Sequence, residues 1–61
     1  MQSNPDAAWL EYHLNQRGYP KPTEDECYAF SERVSIRVES GMMLAEARKR
    51  GLLEFVDKNN R

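Results

Sequence analysis

The stretch from Thr23 to Gly41 constrains this chain most, because it spells out a helix with its own start and stop. Thr23-Glu24-Asp25-Glu26 predicts a capping box. The Thr23 hydroxyl accepts from the backbone three residues on, and the Glu26 carboxylate reaches back to the Thr23 N–H. Three consecutive acids also favour the positive end of a helix, and being consecutive they fan out around it, which fits capping better than a metal or catalytic cluster. Behind them Cys27, Phe30, Val34 and Val38 recur at steps of three, four and four, one apolar stripe of a helix. Val34, Ile36 and Val38 also alternate, so a short strand VSIRV competes, but the capping box and the length favour helix. Ser40-Gly41 closes the segment.

Ile36 and Ala29 fall on roughly the opposite side of that helix. A two-layer packing leaves Ile36 wet, and a partner surface would cover it. Size points the same way. Sixty-one residues make one domain, 1–61, that buries only about 60% of its unfolded surface. Domains this small are commonly reinforced by disulfides, a metal or a partner subunit. Cys27 is the only cysteine and His13 the only histidine, so neither an intrachain disulfide nor a closed Cys/His zinc site is available. A homodimer is therefore the expected device.

Upstream, Ser3 or Asn4 is placed to cap a first helix, with Pro5 at its tolerated first position and Asp6 near the positive end. Ala7, Leu10 and Leu14 form its inner face, while Trp9 and Tyr12 lie well round the cylinder. Trp9 is either a core anchor or, with Tyr12, a partner contact. Gly18 is a stop, and Tyr19-Pro20-Lys21-Pro22 is a stiff joint between helices rather than a proline-recognition ligand.

Downstream, Leu44, Ala45, Leu52, Phe55 and Val56 share one broad face if a third helix runs unbroken through Gly51. Glycine costs about 1 kcal/mol inside a helix, so an end at Gly51 and a looser tail is the alternative. Met42 and Met43 are adaptable packing groups. Glu46 and Arg50 make a favourable pair four residues apart. The expected architecture is all-α: two or three helices, about 5–17, 24–39 and 43–57, completed by homodimerisation, with 58–61 frayed.

Chemistry is sparse. Cys27 sits on the apolar stripe, where an inert thiol is the default. His13 has no evident acid or nucleophile at helical spacing. Gly18, Gly41 and Gly51 are scattered rather than forming a phosphate loop. No catalytic residue, cofactor or metal is expected. No run is long and apolar enough for a membrane span, and MQSNPDAAW lacks the basic and apolar regions of a secretory signal. With a free cysteine this predicts the cytoplasm.

Two surfaces remain as candidates. Trp9, Tyr12, Ala29, Ile36, Met42, Met43 and Phe55 are candidates for an oligomer or partner interface. Arg33 and Arg37 share a helix face and Arg48-Lys49-Arg50 forms a basic knot, though three consecutive basic residues spread around a helix rather than lining one face. These five candidate basic contacts read first as a solvated or ion-paired surface, next as contacts to a protein partner, and last as a helix-turn-helix-like regulator with Arg48, Lys49 and Arg50 at phosphates. A net charge of −1, from nine Lys/Arg against ten Asp/Glu, disfavours that reading.

The segment SERVSIRVESGMMLAEARKR, residues 31–50, resembles a helical hairpin that recurs in small phage and prophage proteins. The matching elements are Glu32-Arg33, Ile36, Glu39, Ser40-Gly41-Met42 and Glu46-Ala47. In length and layout the whole chain resembles the small accessory proteins that lambdoid phages encode between their recombination and excision genes. The resemblance implies an early-expressed, non-enzymatic helper that binds host proteins in the host cytoplasm and alters host physiology or phage development. Such segments carry a Ser or Thr helix cap after Gly-Met; here Met43 stands in its place.

Overall fold

A computed structural model describes residues 4–59 as three helices, α1 (Pro5–Gln16), α2 (Glu24–Glu39) and α3 (Leu44–Asn59), with no strand among the described residues. The VSIRV segment lies wholly within α2. Of the two candidate caps for α1, Asn4 does the work: its Oδ1 accepts from the N–H of Asp6 and Ala7 at 3.0 and 3.2 Å. Ser3 lies outside the described residues. At α2 the capping box is closed in both directions, Glu26 N–H to Thr23 Oγ1 at 3.1 Å and Thr23 N–H to Glu26 Oε1 at 2.8 Å.

The first two helices end in the same way. Gly18 and Gly41 take positive φ, 77° and 108°, which only glycine adopts without strain. The residue after each glycine donates back across the turn, Tyr19 to the Leu14 carbonyl and Met42 to the Arg37 carbonyl. Each glycine N–H donates to the carbonyl one residue further on, Asn15 and Val38 respectively. These paired bonds are Schellman motifs, and each is sealed by an apolar residue, Tyr19 or Met42, packed on the core. The turn at Arg17 and Gly18 stops α1 at Gln16, one residue before the expected end.

Leu10, Leu14, Phe30, Val34, Ala47 and Leu52 form the buried core. α2 is the central element, packing broadly on both α1 and α3, whereas α1 and α3 barely touch. On α2 the expected stripe is buried at Phe30 and Val34, half-buried at Cys27 and open at Val38.

The third helix takes the unbroken course expected of 43–57 and departs from expectation at its C-terminal end and on its inner face. It runs through Gly51 without a break and through Lys58 to Asn59, so part of the expected frayed tail, 58–61, is helical; Asn60 and Arg61 lie outside the described residues. It begins at Leu44, directly after Met43, which is exposed. Its inner face is the expected one only in its second half. Leu52 is buried and Phe55 and Val56 half-buried as expected, but Leu44 and Ala45 are exposed, and Ala47 and Gly51 are buried in their place.

Gly51 explains the shift. A Cβ built there would stand 2.8 Å from Phe30 Cε1 and 3.2 Å from Cδ1. The glycine allows α3 to come down onto the Phe30 ring, and small residues therefore mark the contact. Trp9 stacks on the Phe30 ring with centroids 5.9 Å apart and planes within 10°, so a shift of the ring away from a new Cβ disturbs that stack. We expect Gly51→Ala to destabilise the fold by about 1 kcal/mol. Overpacking of about 1–3 kcal/mol outweighs the helix-propensity gain of about 1. A urea unfolding curve with an unchanged or higher midpoint would refute that close packing.

Candidate partner-binding surface

Each helix carries a residue that ties it to the others by charge. Asp6, in the first turn of α1, accepts from Arg48 Nε of α3 at 2.8 Å and from Ser31 Oγ of α2 at 3.1 Å. Both side chains of the ion pair are largely shielded, 16% and 19% exposed, so water screens this pair less than a surface one. Glu54 of α3 forms a second cross-brace. It meets Arg33 Nη1 at 3.4 Å and also Arg37 Nη2, both on α2. The other amino group of Arg37, Nη1, is shut off from solvent with no hydrogen-bond partner. Glu46 and Arg50 form the expected pair along α3, Arg50 Nε to Glu46 Oε2 at 3.1 Å.

The five basic candidates are thus placed in very different settings. Arg33 and Arg37 face Glu54, Arg48 is held inside a three-helix junction, and Arg50 is paired along its own helix. Lys49 is exposed without a carboxylate partner among the described residues. The run Arg48-Lys49-Arg50 is not one basic surface. Sequence reasoning assigned Asp6 to the helix dipole alone and missed its partner on α3. A 42-residue separation leaves no local signal for such a pair.

The apolar candidates also divide. Trp9, Met42 and Phe55 pack against the core from its edge. Tyr12 and Ile36 are 60% and 61% exposed and Met43 78%, while Ala29 is exposed on α2. Two further large apolar groups were not singled out from sequence, Tyr28 at 68% and Leu53 at 60%. Tyr28 and Ile36 are eight residues apart and stand on the outer face of α2 among Asp25, Glu32 and Glu39. Spacing alone could have found that face, because i, i+4 and i+8 align on a helix.

Shallow clefts open among the described residues, between helices and between α1 and the connector that follows it. One of about 370 Å³ runs over the α2–α3 contact, with Ala29, Phe30, Gly51 and Phe55 on its floor and Arg33 and Glu54 at its rim. One of about 330 Å³ holds Tyr12, Tyr19, Glu11 and Lys21, the last two paired at 4.0 Å. The third, about 290 Å³, lies between α1 and α3. The apolar candidates therefore do not gather into one patch: Trp9 belongs to the third cleft, Ala29 and Phe55 to the first, and Tyr12 to the second.

His13 is clasped by aromatic rings, Trp9 at 4.1 Å and Tyr12 edge-on at 5.3 Å. Cys27 is half-buried, and burial together with Glu11, Glu26 and Glu24 pushes its thiol above the ordinary range against the weaker opposing pull of Lys21. Among the described residues no group of three or more His, Cys, Asp or Glu side chains is arranged to hold a metal ion, and no helix is long and apolar enough to cross a membrane. Comparison with protein-family models, curated proteins and solved structures gave no match to this chain.

Two measurements test these placements. Asp6→Ala strands a shielded Arg48 and removes the Ser31 contact, and we expect a loss of about 1.5–3 kcal/mol in chemical unfolding. A change within 0.5 kcal/mol, the scale of ordinary surface substitutions, would make the junction incidental. For Cys27, a raised pKa leaves less thiolate near neutral pH, so alkylation by iodoacetamide should run several-fold slower than in the urea-unfolded chain. Equal rates would remove the burial and charge argument.

Proposed function

We propose that this chain is a non-enzymatic interaction protein of phage origin that acts by binding host proteins in the host cytoplasm, itself as a homodimer. The observation that carries the protein-binding reading is the disposition of charge and apolar surface. Four of the five basic candidates are already matched by acids of the same chain, whereas Tyr12, Tyr28, Ile36, Met43 and Leu53 each leave most of their surface in water. Exposed aromatic and branched side chains are the usual anchors of protein interfaces. The resemblance of residues 31–50 to the phage hairpin supports a host protein as the target. The small core, six buried apolar side chains among the described residues, supports a second subunit.

Duplex binding is the rival. It requires several phosphate contacts from free cations, and the intrachain ion pairs of Arg33, Arg37, Arg48 and Arg50 work against it.

Capture from host lysate with the tagged full chain, with and without nuclease, separates the two. Protein binding predicts a specific protein that stays bound after nuclease treatment. Enrichment that vanishes with nuclease, together with salt-sensitive binding to a purified duplex, would replace it with a nucleic-acid function. The homodimer predicts unfolding midpoints that rise with protein concentration. A concentration-independent midpoint and a monomer mass in sedimentation equilibrium would remove that part.

A further inference from the structure

The three clefts differ in how their charge is settled. The α2–α3 cleft sets two cations, Arg33 and Lys58, against two acids, Glu54 and Glu26, and in the cleft beside Tyr12, Lys21 faces Glu11. In the α1–α3 cleft the cations are left over. Trp9, His13 and Arg17 line one wall at steps of four along α1, and Lys49 stands on the α3 wall. Neither Arg17 nor Lys49 has a carboxylate partner among the described residues; Arg17 only donates to the His13 carbonyl at 3.4 Å. The one acid on the rim, Glu46, is already held by Arg50. Buried Leu52 and the half-buried Trp9 indole supply an apolar floor.

We propose that this cleft is a docking groove for an acidic helical segment of a partner protein that presents one large apolar side chain. The apolar group sits over Leu52 beside the Trp9–His13 ring pair, and flanking carboxylates meet Arg17 and Lys49. A volume of about 290 Å³ suits one or two side chains rather than an enclosed cofactor. Its walls are two helices joined by the Asp6–Arg48 pair and otherwise in little contact, which leaves an apolar groove of the kind that takes the apolar face of a helix. Complementary charge supplies orientation and encounter rate, and the buried apolar anchor supplies affinity.

The outer face of α2, with Tyr28 and Ile36 among Asp25, Glu32 and Glu39, has the same chemistry. A second copy is therefore the occupant to exclude. An anionic lipid surface is the other.

Trp9 is the only tryptophan, so its emission reports directly on the groove. The probe is a blocked synthetic helical peptide built of Glu and Ala with a central Leu-Phe pair; its control replaces every Glu with Lys. The full chain should show a saturable change in Trp9 emission with the Glu peptide and none with the Lys peptide. Arg17→Glu combined with Lys49→Glu, both exposed positions, should weaken the affinity about tenfold or more, with circular dichroism confirming an intact fold. No saturation up to about 1 mM peptide, an equal response to the Lys peptide, or an unchanged double variant would overturn the groove. A stronger response to phosphatidylserine vesicles than to the peptide would replace it with a membrane surface. Self-association lost in the double variant would replace it with a second copy of this chain.

This inference rests on the protein-binding reading, yet the two fail separately. A peptide that does not bind removes the groove while nuclease-resistant capture stands. Capture that depends wholly on nucleic acid removes the function while the titration stands.

Discussion

The fold depends on one aromatic ring. Phe30 is the point at which all three helices meet: its ring belongs to α2, one side stacks on Trp9 of α1, and an edge rests where Gly51 of α3 has no side chain. A ring held on both sides fixes the separation of α1 from α2 and of α2 from α3 together. That arrangement also sets the limits of the molecule. α2 occupies the middle, so α1 and α3 are each anchored to it and hardly to one another, giving a flat body 31 × 31 × 18 Å. A core of six buried apolar side chains among the described residues cannot absorb much imprecision, because each is a large share of the total.

Charge repeats the same logic at the edges. Asp6 gathers Ser31 and Arg48 from the other two helices, and Glu54 gathers Arg33 and Arg37 from α2. Exposed ion pairs contribute little individually. The Asp6–Arg48 pair differs because both partners are shielded, so loss of either strands the other. Such pairs also have a functional consequence. A guanidinium bridging two helices of its own chain is poorly placed to meet a phosphate.

The parts of this fold legible in sequence are those written in local chemistry. Asn4 and Pro5 start α1, Thr23 and Glu26 start α2, and Gly18 and Gly41 stop them, each through bonds reaching no more than five residues. Leu10, Leu14, Phe30 and Val34 follow from periodicity for the same reason. The third helix was less legible because its inner face is chosen by size rather than by hydrophobicity. Ala47 and Gly51 are weak apolar signals, whereas Leu44 is a stronger one at the helix start, where it stays exposed. Arg48, Lys49 and Arg50 fan out around a helix by spacing alone, but that Arg48 is the one to meet an acid, Asp6, is set by a distant helix. Of the candidate surface residues, exposure of Ile36 could be read from its place opposite the stripe. That Trp9, Met42 and Phe55 pack on the core was also open to sequence, as a core anchor, an adaptable packing group and a member of the third helix's inner face. That they do so only from its edge depends on how α1 and α3 lean on α2.

What the sequence could not supply at all is the sorting of charges into matched and unmatched, and that sorting decides where a partner can act. Arg17 and Lys49 are 32 positions apart in the numbering and carry no motif. They become one site only because α1 and α3 are both held by α2 and left apart from each other. The gap is the direct result of putting Phe30 at the centre: a core built around one ring on the middle helix closes two of the three helix–helix seams and leaves the third open, with the tryptophan that stacks on that ring forming part of its wall. The same contact that holds the fold together thus extends into the surface at which a partner is proposed to bind. A segment seated in the cleft would press on Trp9, and through it on the packing of Phe30 and Gly51, so occupancy of the groove and stability of the three-helix core are coupled.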